Sequence, residues 1–353
     1  VNVQEFDPGI GKGMRGRPQQ SGPMKICIVG AGAIGGFVGT RLALAGGCDV
    51  SALARGATLA ALREHGWRLD SGGQRFMAPV RAESDAAVLG EQDLLIVAVK
   101  AHALEALAPT LAPLIGPRTT VLTLMNGVPG WFCEGVSGWP GGRLNSVDPH
   151  GAIAAALPLP QVLGGVVHAA CSSPEPGRVA HRMGRGLIVG EPRGGIGERV
   201  QAVTALLARA GFEATASADI RRDLWFKLWG NLTMNPVSAL TGATLDAVLA
   251  DPLVRRLCSD AMAEAARIGA VLGCPIDQSP EDRHAVTAKL GAVKTSMLQD
   301  VEGHRPLELA AIVGAVHEMG ARLGHDTPAI GALLGLTRLM ALTRGLLPKD
   351  GSA

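Results

Sequence analysis

The sequence predicts an α/β chain in which an open, largely parallel sheet is followed by an all-helical C-terminal domain. Three observations carry this. Strand and helix periodicities alternate from Lys25 onward, a glycine cluster joins the first strand to the first helix, and from about Ala218 the apolar spacing is that of helices alone. A chain of 353 residues, 47% of them apolar, can build a core for each of two domains.

Residues 1–23 are polar, rich in Gly, Pro, Gln and Arg and without period, and read as a disordered extension with Met24 as the natural start. The Gly9 to Gly13 run within it lacks the Ser/Thr and the strand of a phosphate loop. Ile26 to Val29 is a buried strand, Ile34 to Ala45 a helix and Asp49 to Leu53 the next strand, together a βαβ unit. Apolar runs at Asp93 to Val99 and Thr120 to Leu124 read as central parallel strands. Lys100 and Asn126 therefore fall at strand carboxyl ends, where open α/β sheets bind ligands. Short strand-like segments follow around Gly164 to Ala170, Gly177 to His181 and Leu187 to Val189. The first domain is assigned residues 24–217. The second, 218–346, is divided into amphipathic helices by breaks at Asp251-Pro252, from Gly273 to Pro280 and from Gly324 to Pro328, and 347–353 is a tail.

Composition narrows the function. A net charge of +2 with scattered arginines provides no field for nucleic acid or membrane. No apolar run reaches ~18 residues without a charge and no signal-peptide pattern is present, so a cytoplasmic protein is expected. Six widely separated cysteines form neither a zinc motif nor a disulfide scaffold, and no metal is expected. Tyrosine is absent, which excludes reductases that use a tyrosine hydroxyl as proton donor.

The glycine cluster, Gly30-Ala31-Gly32-Ala33-Ile34-Gly35, follows an apolar strand and opens a helix. In that context its glycines allow a tight turn, close approach of a pyrophosphate and close helix packing, the fingerprint of a Rossmann dinucleotide-binding domain. An NAD site would place an acidic residue at the end of the next strand, but here that strand ends Ala52-Leu53-Ala54-Arg55. Arg55 either meets a 2′-phosphate or is an exposed loop cation. Lys100 either adds positive charge near the phosphates or simply ends its strand. The pattern favours NADPH and reductive chemistry.

In the second domain Lys227, Asn231 and Asn235 follow one another at i, i+4 spacing within an apolar, aromatic stretch, which stacks them on one helical face. An ammonium and two amides are costly to bury without partners, so they line a polar cleft, where lysine can donate a proton. The competing reading pairs Lys227 with Asp223 at the surface, the asparagines capping or turning the chain before Pro236. Ser296 and Glu308, taken alone, read as a small helix residue and a surface acid near a helix start, Glu308 lying in a first helical turn after Pro306.

The ordered series Gly30-x-Gly32-x-x-Gly35, Arg55, Val99-Lys100, Asn126-Gly127, Lys227/Asn231/Asn235, Ser296-Met297-Leu298-Gln299-Asp300 and Glu308 resembles the ketopantoate reductase family from Met24 to about Leu346. The resemblance implies an NADPH-binding Rossmann domain, a helical C-terminal domain, and reduction of a 2-oxo acid to a D-2-hydroxy acid in the cleft between them, with ketopantoate giving pantoate for pantothenate and coenzyme A synthesis. It implies roles as well. Lys227 is the general acid, Asn126 stands near the nicotinamide and substrate, Asn231, Asn235 and Ser296 hold the substrate, and Glu308 binds its hydroxyl or orients Lys227. Gly30, Gly32, Ala33, Ile34, Gly35, Arg55, Lys100 and Asn126 are assigned to the cofactor. The chain departs from the family pattern at Leu307-Glu308-Leu309-Ala310, where Thr-Glu-Ile-Asp is common, and at Val293, where a polar residue is frequent. A related reductase of another 2-oxo or imino acid, a catalytically silent NADP-binding regulator and a homodimer therefore stand as alternatives or additions.

Overall fold

The computed structural model describes residues 22–348. The N-terminal extension through residue 21, with the Gly9 to Gly13 run, and residues 349–353 of the tail lie outside the described residues. Ten strands form one sheet: β1 (Met24–Val29), β2 (Cys48–Leu53), β3 (Trp67–Ser71), β4 (Gln74–Ala78), β5 (Arg81–Glu83), β6 (Leu94–Val97), β7 (Thr120–Thr123), β8 (Val162–Glu175), β9 (Arg178–Gly190) and β10 (Glu213–Ser217). Their order is β4-β3-β9-β8-β7-β6-β1-β2-β5, with β10 beside β9.

The central strands β7, β6, β1 and β2 are parallel, as their uninterrupted apolar runs require once helices cover both faces. Because side chains alternate along a strand, Ile26 and Ile28 pack with Phe37, Leu42, Trp67 and Leu207 on one face. Cys27 and Val29 pack on the other with Leu95, Leu104 and Trp131, in a cluster that continues into the helical domain through Trp225, Trp229, Met262 and Ile330. Strand order reverses at β1, which lies between β2 and β6. The turns after β1 and β6 thus flank the crevice where sheets of this kind bind nucleotides.

The sheet is larger than the sequence pattern implies. β3, β4, β5 and β10 carry polar or charged residues at many positions and have no apolar run to mark them. The three short segments expected between residues 164 and 189 are parts of one antiparallel hairpin, β8–β9. Its register shifts between His168 and Ala170 and again between Ser172 and Glu175, and such bulges interrupt a regular alternation.

A central helix, Ile220–Thr241, begins at Asp219, whose side chain accepts from the Arg222 backbone N–H, and ends at Gly242 in the left-handed region with φ of 73°. It passes through Pro236 without stopping, although proline removes one backbone donor, so the asparagines are helical residues rather than a cap before a break. Burial on several sides holds it. Trp229 Nε1 donates to the Met262 carbonyl at 2.7 Å, and Trp225 stacks on Phe132 with ring centroids 5.7 Å apart. Further helices at Pro252–Val271, Pro280–Ala288, Ser296–Glu302, Ala315–Leu323 and Pro328–Thr343 surround it.

Candidate active site

The turn after β1 is tight because Gly30 has φ of +88° and faces Val99, whose Cγ1 lies 2.5 Å from where a Gly30 Cβ would be. Gly35 is fixed by packing, since its Cβ would fall 2.0 Å from the Gly30 carbonyl oxygen. At Gly32 a Cβ would meet no protein atom within 4 Å. Gly32 is the N-cap of the Ala33–Ala45 helix and supplies no side-chain acceptor, so the amides of Ala33, Ile34 and Gly35 begin a helix whose end is open to an anion. Gly30 N donates to Leu53 O at 3.2 Å, which ties this turn to the end of β2. Arg55 follows there, exposed, with no side-chain partner among the described residues. These features fit a dinucleotide pyrophosphate and leave Arg55 free for a further phosphate.

Across the interdomain seam Lys227 Nζ donates to Asn126 Oδ1 at 2.9 Å. Asn126 lies against the Glu308 carboxylate and favours its charged form, and Glu308 Oε1 accepts from the Ala101 backbone N–H at 3.1 Å. A relay of amine, amide and carboxylate is thus assembled from the central helix, the end of β7 and the segment after Pro306. Burial pulls the Lys227 ammonium down from 10.5 to about 8, opposed by the nearby Glu308 charge. Burial pushes Glu308 above the ordinary carboxylate range, while Lys100, the Ala101 N–H and Asn126 oppose that rise. Asp223 accepts from Ser217 Oγ and makes no ion pair with Lys227, so the surface-pair reading of the lysine fails.

Glu308 precedes the helical segment instead of lying within its first turn, its carbonyl accepting from Ile312 N at 3.2 Å. Ala310–Gly314 is a π-helical turn that backs directly onto Asn126-Gly127. Val128 N donates to Ala311 O at 2.9 Å, and Gly127, with φ of +82°, leaves only 2.6 Å between an added Cβ and that same oxygen. This close approach seats Glu308 beside Asn126.

The remaining expected residues divide. Asn231 is partly buried one turn beyond Lys227. Asn235 is 4% exposed, and its Nδ2 has no hydrogen-bond partner among the described residues. Lys100 forms an ion pair with Asp300, which also accepts from Arg305 Nε at 2.9 Å; the lysine thereby joins the two domains in addition to lying beside the nucleotide crevice. Ser296 is exposed at the start of its helix and makes no hydrogen bond to Lys227, Asn126 or Glu308. Leu307 is buried, Val293 is partly buried against the core, and neither brings polarity to the site.

Two participants have no signal in the sequence. The Ala101 N–H is a backbone group, and His168 reaches the neighbourhood of Lys227 only because β8 and the central helix pack together. Burial, reinforced by the Lys227 charge, keeps His168 below its usual value and neutral at pH 7. A small, partly open cleft lies on the other side of Glu308, between His102, Glu105, Pro149 and Ala310; Lys227 and the asparagines do not line it. Among the described residues no group of three or more His, Cys, Asp or Glu side chains is disposed to hold a metal ion, and no helix is long and apolar enough to cross a membrane.

A Rossmann-like sheet facing a helical domain, with a partly buried amine at the seam, defines a nicotinamide-nucleotide oxidoreductase. Family comparison agrees: the ketopantoate reductase PanE/ApbA model matches residues 26–130, and its C-terminal counterpart matches 219–341. A 2-dehydropantoate 2-reductase of Mesorhizobium japonicum is 46% identical over 91% of this chain and 99% of its own length. A crystal structure of a candidate ketopantoate reductase from Ralstonia solanacearum MolK2 is 57% identical, with a TM-score of 0.89 over 92% of this chain and 100% of that one. D-mandelate dehydrogenase bound to NADH and anilino(oxo)acetate, at 23% identity and a TM-score of 0.79 over 92% of this chain and 100% of its own, shares the fold. The chain belongs to the ketopantoate reductase family and is an NAD(P)H-dependent oxidoreductase acting on a small molecule.

Proposed function

We propose that this enzyme reduces 2-dehydropantoate to pantoate with NADPH, Lys227 giving the proton. The observation that carries the reading is the Lys227 amine, partly buried at the domain seam without a carboxylate bonded to it among the described residues and aimed by Asn126. A nicotinamide dinucleotide whose pyrophosphate the glycine turn holds would supply the hydride. Addition of hydride to a ketone leaves charge on oxygen, and the ammonium at Nζ neutralises it by transferring a proton. Asn126 holds that amine in place, and Glu308, anchored through Ala101, holds Asn126. Asn231 and Asn235 offer amide donors and acceptors to the carboxylate and hydroxyl groups of the substrate, and Ser296 starts a helix packed against the central one, from which its hydroxyl would reach the substrate.

The preference for NADPH rests on Arg55, exposed and unpartnered among the described residues at the end of β2 where an NAD site would carry an acid. Division at residue 217, with 24–217 binding nucleotide and 218–346 binding substrate, rests on the cap at Asp219 that starts the central helix. A homodimer is supported by Leu336, Leu339 and Leu342, exposed at 56%, 58% and 62% along one side of the last helix. A second reading, a paralogue acting on another 2-oxo acid, draws on Val293, Leu307 and Ala310, which are apolar where the family pattern described above is commonly polar. NADPH oxidation against a panel of 2-oxo acids decides among these: ketopantoate with the highest kcat/KM supports the first reading, another acid the second. Nucleotide binding with no turnover on any acid would end the reductase assignment.

A further inference from the structure

Among the described residues Arg283 is a cation without a counter-ion at the edge of this site. It lies in the Pro280–Ala288 helix with its guanidinium carbon 5.0 Å from the centroid of the Phe226 ring. Its Nε and Nη2 stand 2.9 Å from where a Cβ of Gly230 would be, so the missing side chain makes room for the guanidinium. Nε is buried and has no hydrogen-bond partner among the described residues. The neighbouring acids are engaged elsewhere: Asp282 caps its own helix through Ser279, Glu281 accepts from Ser259 and Asp223 accepts from Ser217. Burial holds the guanidinium below its ordinary value with no acid to oppose the effect, and His168 lies within the fields of both Lys227 and Arg283. Phe226, Lys227 and Gly230 are neighbours on the central helix, and residues three apart bring their Cβ positions within about 5–6 Å.

We infer that Arg283 is a specificity-determining residue that binds the carboxylate of the substrate while Lys227 addresses the adjacent keto oxygen. The inference rests on the 2-oxo acid reading above and gives it a chemical reason. In a 2-oxo acid the carboxylate is bonded directly to the keto carbon, so a cation held against Gly230, which is one helical turn from the proton donor, suits that pairing. A guanidinium also presents a planar fork of donors that matches a carboxylate, and its contact with the Phe226 ring helps to fix its position. Val293 has no polar atom to offer a substrate, and Arg283 supplies recognition from the preceding helix instead.

The test compares wild type with Arg283→Met, Arg283→Lys and Gly230→Ala. The methyl introduced by Gly230→Ala would displace the guanidinium without removing its charge. For the best 2-oxo acid of the panel, Arg283→Met should raise KM roughly 10- to 100-fold, with kcat and the KM for NADPH little changed, because a charge-assisted contact made equally in ground and transition states is lost. Arg283→Lys should recover part of that loss, Gly230→Ala should reproduce part of it, and the methyl ester of the same acid should be indifferent to all three. Equal losses for acid and ester, or unchanged KM in Arg283→Met, would overturn the inference. Calorimetric titration of the NADPH complex with oxamate, a 2-oxo acid analogue that resists reduction, separates this from failure of the reductase reading. If wild type reduces no 2-oxo acid yet binds oxamate only when Arg283 is present, the anchor stands and the reaction assignment falls; if turnover is normal and oxamate binds Arg283→Met as tightly as wild type, the reverse holds.

Discussion

Lys227 is the residue proposed as proton donor, and its environment makes two predictions. Lys227→Ala should lower kcat by roughly 10²- to 10⁴-fold with NADPH affinity nearly unchanged, because only the proton transfer is removed. Equilibrium binding of NADPH alongside steady-state rates checks both halves. A donor must be protonated, and burial has brought this ammonium down to about 8, so kcat/KM for reduction should be level at neutral pH and fall as pH rises through about 8. A profile that stays level to pH 10 would remove Lys227 as the donor. At the cofactor end, Arg55→Ala should weaken NADPH by about 10-fold or more and leave NADH nearly unchanged, since only NADPH presents the 2′-phosphate. Equal losses for the two nucleotides would reverse the cofactor choice.

Elements place these residues. The glycine turn was legible because its signal is local: three glycines between a strand and a helix have few other physical uses, and the conflicts at Gly30 and Gly35 make two of them obligatory. Gly35→Ala forces a methyl to within 2.0 Å of the Gly30 carbonyl oxygen unless the helix start shifts. It should cost roughly 1–3 kcal/mol of stability and weaken NADPH, measurable by thermal melting with and without nucleotide. Unchanged melting and affinity would mean that the turn tolerates looser packing than its geometry implies. The ladder Lys227, Asn231, Asn235 was legible for a similar reason, since helical spacing puts residues four apart on one face. The polar edge strands β3, β4, β5 and β10 were not, because their partners rather than their composition make them strands.

For the whole molecule, the sheet and the helical domain share one apolar cluster and meet through polar contacts between distant segments. Lys100 with Asp300, Ala101 with Glu308 and Asn126 with Lys227 all cross the seam. The exposed leucines of the last helix bear on assembly: light scattering should return twice the monomer mass, and Leu339→Glu should return a monomer with the fold intact by circular dichroism. A wild-type monomer at micromolar concentration would withdraw the homodimer.

The amino-acid order by itself determined the nucleotide turn, the central parallel strands, the helical second half and the polar face of the central helix, because each is written in contacts within a few residues or in one periodicity. Only the tertiary structure decided that Lys227 bonds Asn126 instead of Asp223, that Glu308 closes the relay through Ala101, that Lys100 is shared with Asp300, and that Arg283 is left over Phe226 with no acid paired to it among the described residues. These partners lie far apart along the chain or, like Asp223, compete locally. Which one wins depends on how the buried faces of two domains dock, a quantity that no local spacing contains.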